Sequence, residues 1–389
     1  MLCLPLVDAK PGMRLALAVH HPYRPSSQLL APGCVLQASI IGRLETLRIS
    51  EIWVDCPQLD SLNRYISPAL VRAREDLCAA ACRLFEHVLA KQAPEDPVGL
   101  NAILGELLAI YRNDRQAALF LPCLSRGADL LVQHSMDTAI LALLLALRLE
   151  AHISQQRRDA GLSSEHFVEH IALGALLHDV GLYMVKGGPL PPEMRRHDEP
   201  QDDDVQHVEL GYRAVKPHVD SNAAPIVLHH HQHLDGSGYP MKDNGALGPS
   251  GLEGTRIPIY VRVATLADVF DELRIGGDGP PLPPGVALAE TLSEPRLPWF
   301  DPAVAVALSE VVLPMPPGST VRLNNGVEGV IVDIDHEEPE RPVVQVITPG
   351  ALLDPTVPCP LYDLRRRPDL WVQSLDGVEL PQPPLAQAS

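Results

Sequence analysis

Four histidines fall within five residues, at His229, His230, His231 and His233, and a turn built from Asp235, Gly236, Ser237 and Gly238 follows directly. Imidazoles this dense are costly as plain core, because each buried ring nitrogen needs a partner. A divalent metal supplies one, and neutral imidazole is its commonest protein ligand. An exposed polar loop would accommodate the same residues without any ion. The wider distribution favours the metal, since twelve of the 16 histidines lie between His134 and His233. ALLHDVG, residues 175–181, closes a predicted helix with His178 and Asp179 adjacent. The two stand about 100° apart around the axis, so both can flank one point just off the helix. His134 on the preceding helix and Asp268 in TLADVFDEL complete a mixed nitrogen and oxygen set suited to a divalent ion. A buried His–Asp pair also occurs as a simple hydrogen bond, so the pair alone does not decide. The run His166-Phe167-Val168-Glu169-His170 reads HxxEH, a zinc-protease pattern. Five-residue matches are common by chance, and polar residues on a helix face are the preferred reading there.

These residues need helices to hold them, and the sequence predicts a mainly α protein. Helical patterning covers 68–89, 99–111, 127–150, 164–179, 207–216, 223–231, 259–273 and 302–312. The tract 186–204 and the proline-rich 276–285 read as loops. Before the helices, 1–65 reads as a small α/β module: a strand over 13–19, a helix over 39–49 and a strand over 51–54. After them, β-branched runs at 320–323, 329–334 and 343–347 predict a small β appendage. The expected organisation is a module over 1–65, a helical linker over 66–114, a helical catalytic domain over 115–312, a β appendage over 313–375 and a disordered tail over 376–389.

Composition narrows the functions. The chain has 389 residues, 46% hydrophobic, long enough for two or three domains with a real core. Thirty-one basic against 49 acidic residues give a net charge of −18, which repels nucleic-acid backbones and anionic membranes. A nucleic-acid polymer and a membrane are therefore not expected as partners. A small anionic substrate fits only if bound cations invert the local field. The seven scattered cysteines form no CxxC knuckle, and Cys78 and Cys82 read as small buried residues of one helix. No signal-like N-terminal segment is apparent and the apolar run 139–147 is too short to span a bilayer, so a cytoplasmic protein is expected.

His134, His178-Asp179 and Asp268 match in order the H…HD…D pattern of HD-superfamily phosphohydrolases, and DGSGYP at 235–240 after His230-His231 resembles the signature of the HD-GYP group. His207 in HVELG and Phe300-Asp301-Pro302 extend the likeness over about 115–312. The N-terminal segment also resembles a module often found ahead of such domains. The resemblance implies an all-helical catalytic domain that hydrolyses cyclic di-GMP to pGpG, GMP or both. Two, sometimes three, iron or manganese ions would serve it. It assigns one ion to His134, His178, Asp179 and Asp268, and the second to His207, His230 and His231 with Asp179 bridging. Asp179 and His178 become the catalytic pair. Two such ions about 3.5–4 Å apart would activate a bridging water and clamp the phosphodiester. Asp235, Gly236, Gly238, Tyr239 and Pro240 become the substrate loop, with Tyr239 placed to pack on a guanine or close the site.

Departures matter as much. The family's HDxGK lysine is Leu182 here, its HHE is His230-His231-Gln232, and Leu130 stands where some members carry a third-metal glutamate. Two ions are therefore expected. ELRIGGDGPPLP replaces the segment that usually supplies an arginine, leaving Arg274, Lys186 or Lys242 as substitutes. His229 and His233 read as polar loop residues. An active phosphodiesterase is the favoured reading. A sensor or interaction module that keeps the metal site but turns over poorly is the alternative, ahead of a phosphohydrolase for another nucleotide. A homodimer, or a diguanylate cyclase or other regulatory protein, fits as partner.

Overall fold

The computed structural model describes all residues except 22–23, 48, 50, 66–67, 91–96, 114–129, 160–165, 188–201, 244–248, 277–278, 336, 348–356 and 382–389. Most of the tract 186–204, the expected 66 and 115 boundaries, Cys123 and the last eight residues lie outside that description.

The N-terminal module contains β1 (Leu2–Pro5), β2 (Val19–His21), β3 (Arg24–Leu30), α1 (Ala38–Thr46) and β4 (Glu51–Val54). β1 pairs antiparallel with β4, and β2 with β3. The expected strand over 13–19 is reduced to isolated bridges at Arg14 and Leu15, followed by β2. Gly12 takes a positive φ just before it and Leu15 pairs with Val54, so the segment serves as a short connector between strands.

Helices then take over: α2 (Pro68–Leu89), α3 (Pro97–Asn113), α4 (Leu130–Arg148), α5 (Glu150–Asp159), α6 (Phe167–Leu177), α7 (Val180–Lys186), α8 (Asp202–Val215) and α9 (Ala224–His229). A small hairpin of β5 (Lys242–Asp243) and β6 (Pro249–Ser250) precedes α10 (Ile259–Ile275), α11 (Pro284–Thr291) and α12 (Pro302–Val311). α4 is buried almost all round, as expected of a central helix. It packs on α2, α6, α10 and α12, and one apolar core joins all of them. The windows Leu130–Arg148 and Phe167–Lys186 are apolar and long enough to cross a membrane, yet 78% of each is buried inside this core.

The helical run of α6 continues through His178 to Asp179, whose φ of −102° and ψ of 10° break it before α7 begins. Gly181 sits inside α7, beyond the predicted helix end at 179. Its glycine character serves close packing, since a Cβ there would overlap the His207 carbonyl and crowd Gly211 N at 2.7 Å. That contact draws α8, and His207 with it, against the start of α7.

The C-terminal strands β7 (Thr320–Leu323), β8 (Glu328–Asp333), β9 (Val343–Val346), β10 (Leu361–Asp363), β11 (Val372–Leu375) and β12 (Val378–Glu379) form one antiparallel sheet in the order β10-β9-β8-β7-β11-β12. The tail boundary expected at 376 needs correction. Asp376 and Gly377 both have positive φ and turn the chain from β11 into β12, and Leu380 still packs on the sheet. Alternate faces of the sheet are both buried: Val321, Ile331, Val344 and Val372 line its own core, while Val330, Val332 and Val343 pack into the N-terminal module. Tyr65 Oη donates to Asp333 Oδ1 at 3.0 Å, and Arg64 pairs with the same carboxylate at 2.7 Å.

Candidate metal centre

Six helices deliver the histidines and carboxylates to one place. His134 comes from α4, His178 from the end of α6, Asp179 from the start of α7, His207 from α8, and His230 and His231 from the end of α9; Asp268 comes from α10. The structure gathers them into two adjoining groups that could each hold an ion: His134, His178 and Asp268, and Asp179, His207, His230 and His231. All are buried except His231, whose side chain keeps 14% of its surface open, so the cluster faces outward on that side.

Asp179 stands between the groups, one oxygen toward each. Oδ2 lies 3.3 Å from His178 Nε2 and 3.8 Å from His134 Nε2. Oδ1 lies 3.4 Å from His207 Nε2 and 3.6 Å from His230 Nε2. Asp268 Oδ1 approaches His134 Nε2 at 2.9 Å and His178 Nε2 at 3.2 Å.

The hydrogen bonds on the far side of the rings fix what faces inward. His178 Nδ1 lies 2.6 Å from the Ala175 carbonyl, and His230 Nδ1 lies 3.1 Å from the Val227 carbonyl. His134 Nδ1 lies 2.8 Å from Asp271 Oδ2. Carbonyl and carboxylate oxygens only accept, so these Nδ1 atoms donate and each neutral ring keeps its lone pair at Nε2. His178 Nε2 and His134 Nε2 then face each other at 3.2 Å, and His207 and His230 do so at 3.4 Å, beside carboxylate oxygens. At His134 and His178, lone pair facing lone pair in a buried space calls for a cation between them, and the His230 lone pair is aimed into the second group. Asp268 Oδ2, buried and accepting no hydrogen bond among the described residues, adds one more unused acceptor. The donor set therefore fits divalent ions that take imidazole and carboxylate together.

Electrostatics point the same way. Burial alone would raise the Asp268 carboxyl, but His178 and His134 outweigh it and hold the group well below the ordinary carboxylate range. Burial likewise works against a charged His134, yet Asp268 and Asp271 reverse the balance and raise its pKa.

The loop after α9 is built from its own polar groups. Asp235 Oδ1 accepts from Ser237 N at 2.9 Å and Ser237 Oγ at 2.7 Å, and Gly236 has a φ of +84°. A Cβ on Gly238 would overlap the His231 carbonyl and the His233 amide, so only glycine lets this strand of loop lie on the end of α9. Tyr239 donates its N–H to the His231 carbonyl at 3.0 Å and stacks on the His231 ring, with centroids 4.5 Å apart. Pro240 receives a hydrogen bond from Gln232 Nε2 at 2.8 Å, while Gln232 Oε1 accepts from Leu252 N at 2.6 Å. Gln232, in the HHE position, is thus a buried strut between the loop and the segment behind it.

Other expected residues fall elsewhere. His166 precedes α6 in a left-handed conformation, largely exposed, and His170 approaches Asp220 at 3.3 Å. Among the described residues no metal-binding group forms around either. His233 stacks on Trp299 with centroids 4.1 Å apart, and burial pulls its pKa down to about 4. Asp301 caps α12 and pairs with Arg262 of α10, a structural use. Leu182 is buried in the helical core. Asp271 was not singled out from the sequence. The signal available was its spacing, three residues beyond Asp268 on one helix, which puts both carboxylates on one face.

Residues 131–273 match the family model of the HD domain. The cyclic di-GMP phosphodiesterase PA4108 of Pseudomonas aeruginosa is 26% identical over 325 residues, 75% of this chain and 72% of that protein. The cyclic di-GMP phosphodiesterase response regulator RpfG of Xanthomonas campestris is 33% identical over 116 residues, 29% of this chain and 28% of that protein. Bd1817, an HDG"Y"P protein from Bdellovibrio bacteriovorus, superposes with a TM-score of 0.49 at 15% identity, covering 80% of this chain and 98% of that one. Residues 131–273 thus carry an HD domain, with its HD pair set between two candidate ligand groups and DGSGYP lying against them.

Proposed function

We propose that the chain is a metal-dependent phosphodiesterase that hydrolyses cyclic di-GMP to pGpG, GMP or both in bacterial second-messenger signalling, with iron or manganese as its ions. The observation that carries this reading is the division of Asp179: one carboxylate addresses two groups of imidazoles, in which His134 and His178 on one side and His230 on the other turn an Nε2 lone pair inward. His134, His178, Asp179 and Asp268 would hold one ion; His207, His230 and His231, with Asp179 shared, would hold the other. When bound, a divalent pair supplies Lewis acidity toward a phosphodiester and lowers the pKa of water to near neutral. The protein's part is to hold the His178, His230 and His134 rings in one tautomer, through Ala175, Val227 and Asp271, and to exclude water from all but the His231 side. Asp235, Gly236, Gly238, Tyr239 and Pro240 form the loop on that open side, where Tyr239 offers an aromatic edge to a base and the substrate would enter. A second messenger as substrate places this domain in the cytoplasm.

The buried position of Leu182 favours a second reading, a nucleotide sensor that turns over slowly. Loss of one charge-stabilising donor costs about 2.7–4 kcal/mol, or roughly 10²–10³ in rate. Protein prepared without oxygen and supplied with Fe²⁺ or Mn²⁺ should convert cyclic di-GMP to product resolved by chromatography, while Asp179→Ala should not. Product no greater than that of the variant would refute the enzyme reading. Calorimetric binding without product would establish the sensor.

A further inference from the structure

His134 is gripped at both ends by acids one turn apart on α10, with Asp268 Oδ1 2.9 Å from Nε2 and Asp271 Oδ2 2.8 Å from Nδ1. A neutral imidazole has one N–H and cannot donate to both. The metal reading assigns Nε2 to an ion, so the proton belongs on Nδ1 and Asp271 is its acceptor. Asp271 is itself only 5% exposed, and a buried carboxylate needs a balancing charge. Asp137 of α4 adds to the difficulty, since its charge repels that of Asp271. The balance comes from α2: Arg74, 2% exposed, places Nη2 3.2 Å from Asp137 Oδ1. Its Nε and Nη1 make no hydrogen bond among the described residues, so Asp137 is the carboxylate this guanidinium serves.

We infer that Asp271 is a positioning residue that fixes His134 with Nε2 toward the first ion, and that Arg74, anchored on Asp137 from α2 outside the 131–273 segment, offsets the repulsion between the two acids. The inference rests on the metal reading of the site. It concerns which residues make that site rigid, a role distinct from ligation.

Titration of metal-free protein with Mn²⁺ against a competing chelator tests it without reference to turnover. Asp271→Ala should weaken one of the two ions by about 10–100-fold, the range seen for partners of metal-bound histidines, and leave the other unchanged. Asp271→Asn, whose carbonyl accepts the same N–H, should restore most of that affinity. Arg74→Met should weaken the same ion by a smaller factor. If Asp271→Ala binds both ions as tightly as the unaltered chain, the positioning role is refuted while the metal reading stands. If the unaltered chain binds no Mn²⁺, the metal reading fails and this inference with it. An Arg74→Met protein with unchanged affinity overturns the anchor. Should Asp271→Ala not fold, nitrogen-15 shifts of the His134 ring in the Zn²⁺-loaded chain decide: a proton on Nδ1 supports the role, and a proton on Nε2 overturns it.

Discussion

Gln232→Glu is an informative small change, because it restores the HHE sequence while altering a single donor. Gln232 is 1% exposed and uses both ends of its amide, donating to the Pro240 carbonyl at 2.8 Å and accepting from Leu252 N at 2.6 Å. An ionised carboxylate of the same shape keeps the second bond. It sets an acceptor against the Pro240 carbonyl in place of the first. Leaving a buried acceptor unsatisfied costs about 1–3 kcal/mol, and burying a new charge adds to that. We therefore expect a loss of about 2 kcal/mol at alkaline pH, a factor of about 30 in the folding equilibrium. Protonated, the introduced carboxyl regains a donor, so burial and the facing carbonyl raise its folded pKa above its unfolded value. Its stability contribution is then fully present below the unfolded pKa and lost as pH rises through the folded pKa. Urea unfolding of both proteins between about pH 4.5 and 8.5 measures the difference, and titrations common to both cancel. Equal stability at every pH would show that the amide is not a strut, and that the carboxylate of HHE is replaceable without structural consequence.

Three further outcomes follow from packing. Gly238→Ala should displace the loop from the end of α9, since the new methyl would overlap the His231 carbonyl; we expect loss of cyclic di-GMP binding by calorimetry with the helical circular dichroism retained. Leu182→Lys restores the HDxGK lysine at a position 4% exposed, so thermal unfolding should show a loss of about 2–3 kcal/mol, the worth of one buried leucine, while the rate on cyclic di-GMP rises if a missing phosphate donor limits it. Tyr65, pushed up to about 12 chiefly by burial and then by its hydrogen bond to Asp333, contributes stability present below its unfolded pKa near 10 and lost as pH rises through 12. Tyr65→Phe should flatten that alkaline decline in unfolding measurements.

The candidate ligand groups were readable because several members have a strong local signal. His178-Asp179 ends an apolar helix, His230-His231 closes another, and Asp268 sits inside a continuous helical pattern. What makes the site work was less readable, because it depends on contacts between distant elements. Nothing in HDVG says that Gly181 is needed by His207, 26 positions later, or that Gln232 reaches Leu252. Arg74 reads as one charge on an amphipathic helix until α4 is laid against it. Among the strands, β7 to β9 show β-branched runs, whereas β3, RPSSQLL, is polar and opens with arginine and proline, so its pairing with β2 has no periodic signature.

The shared core of the first and last parts of the chain has a consequence for how the molecule is made. Val330, Val332 and Val343 complete a cluster whose other members all come from residues 2–71, and Tyr65 meets Asp333 across a sequence separation of 268. During synthesis, the N-terminal module leaves the ribosome well before the strands that cover it exist. It must wait, with one apolar face open, while the helical domain between them folds. Such closure over a long loop is entropically slow, and contacts of this kind lengthen folding times. The helical domain therefore acts as a spacer whose own folding brings the two ends within reach. Cutting either end exposes the same apolar surface from opposite sides, so a shortened chain inherits a surface prone to association even where its metal-ligand residues are intact.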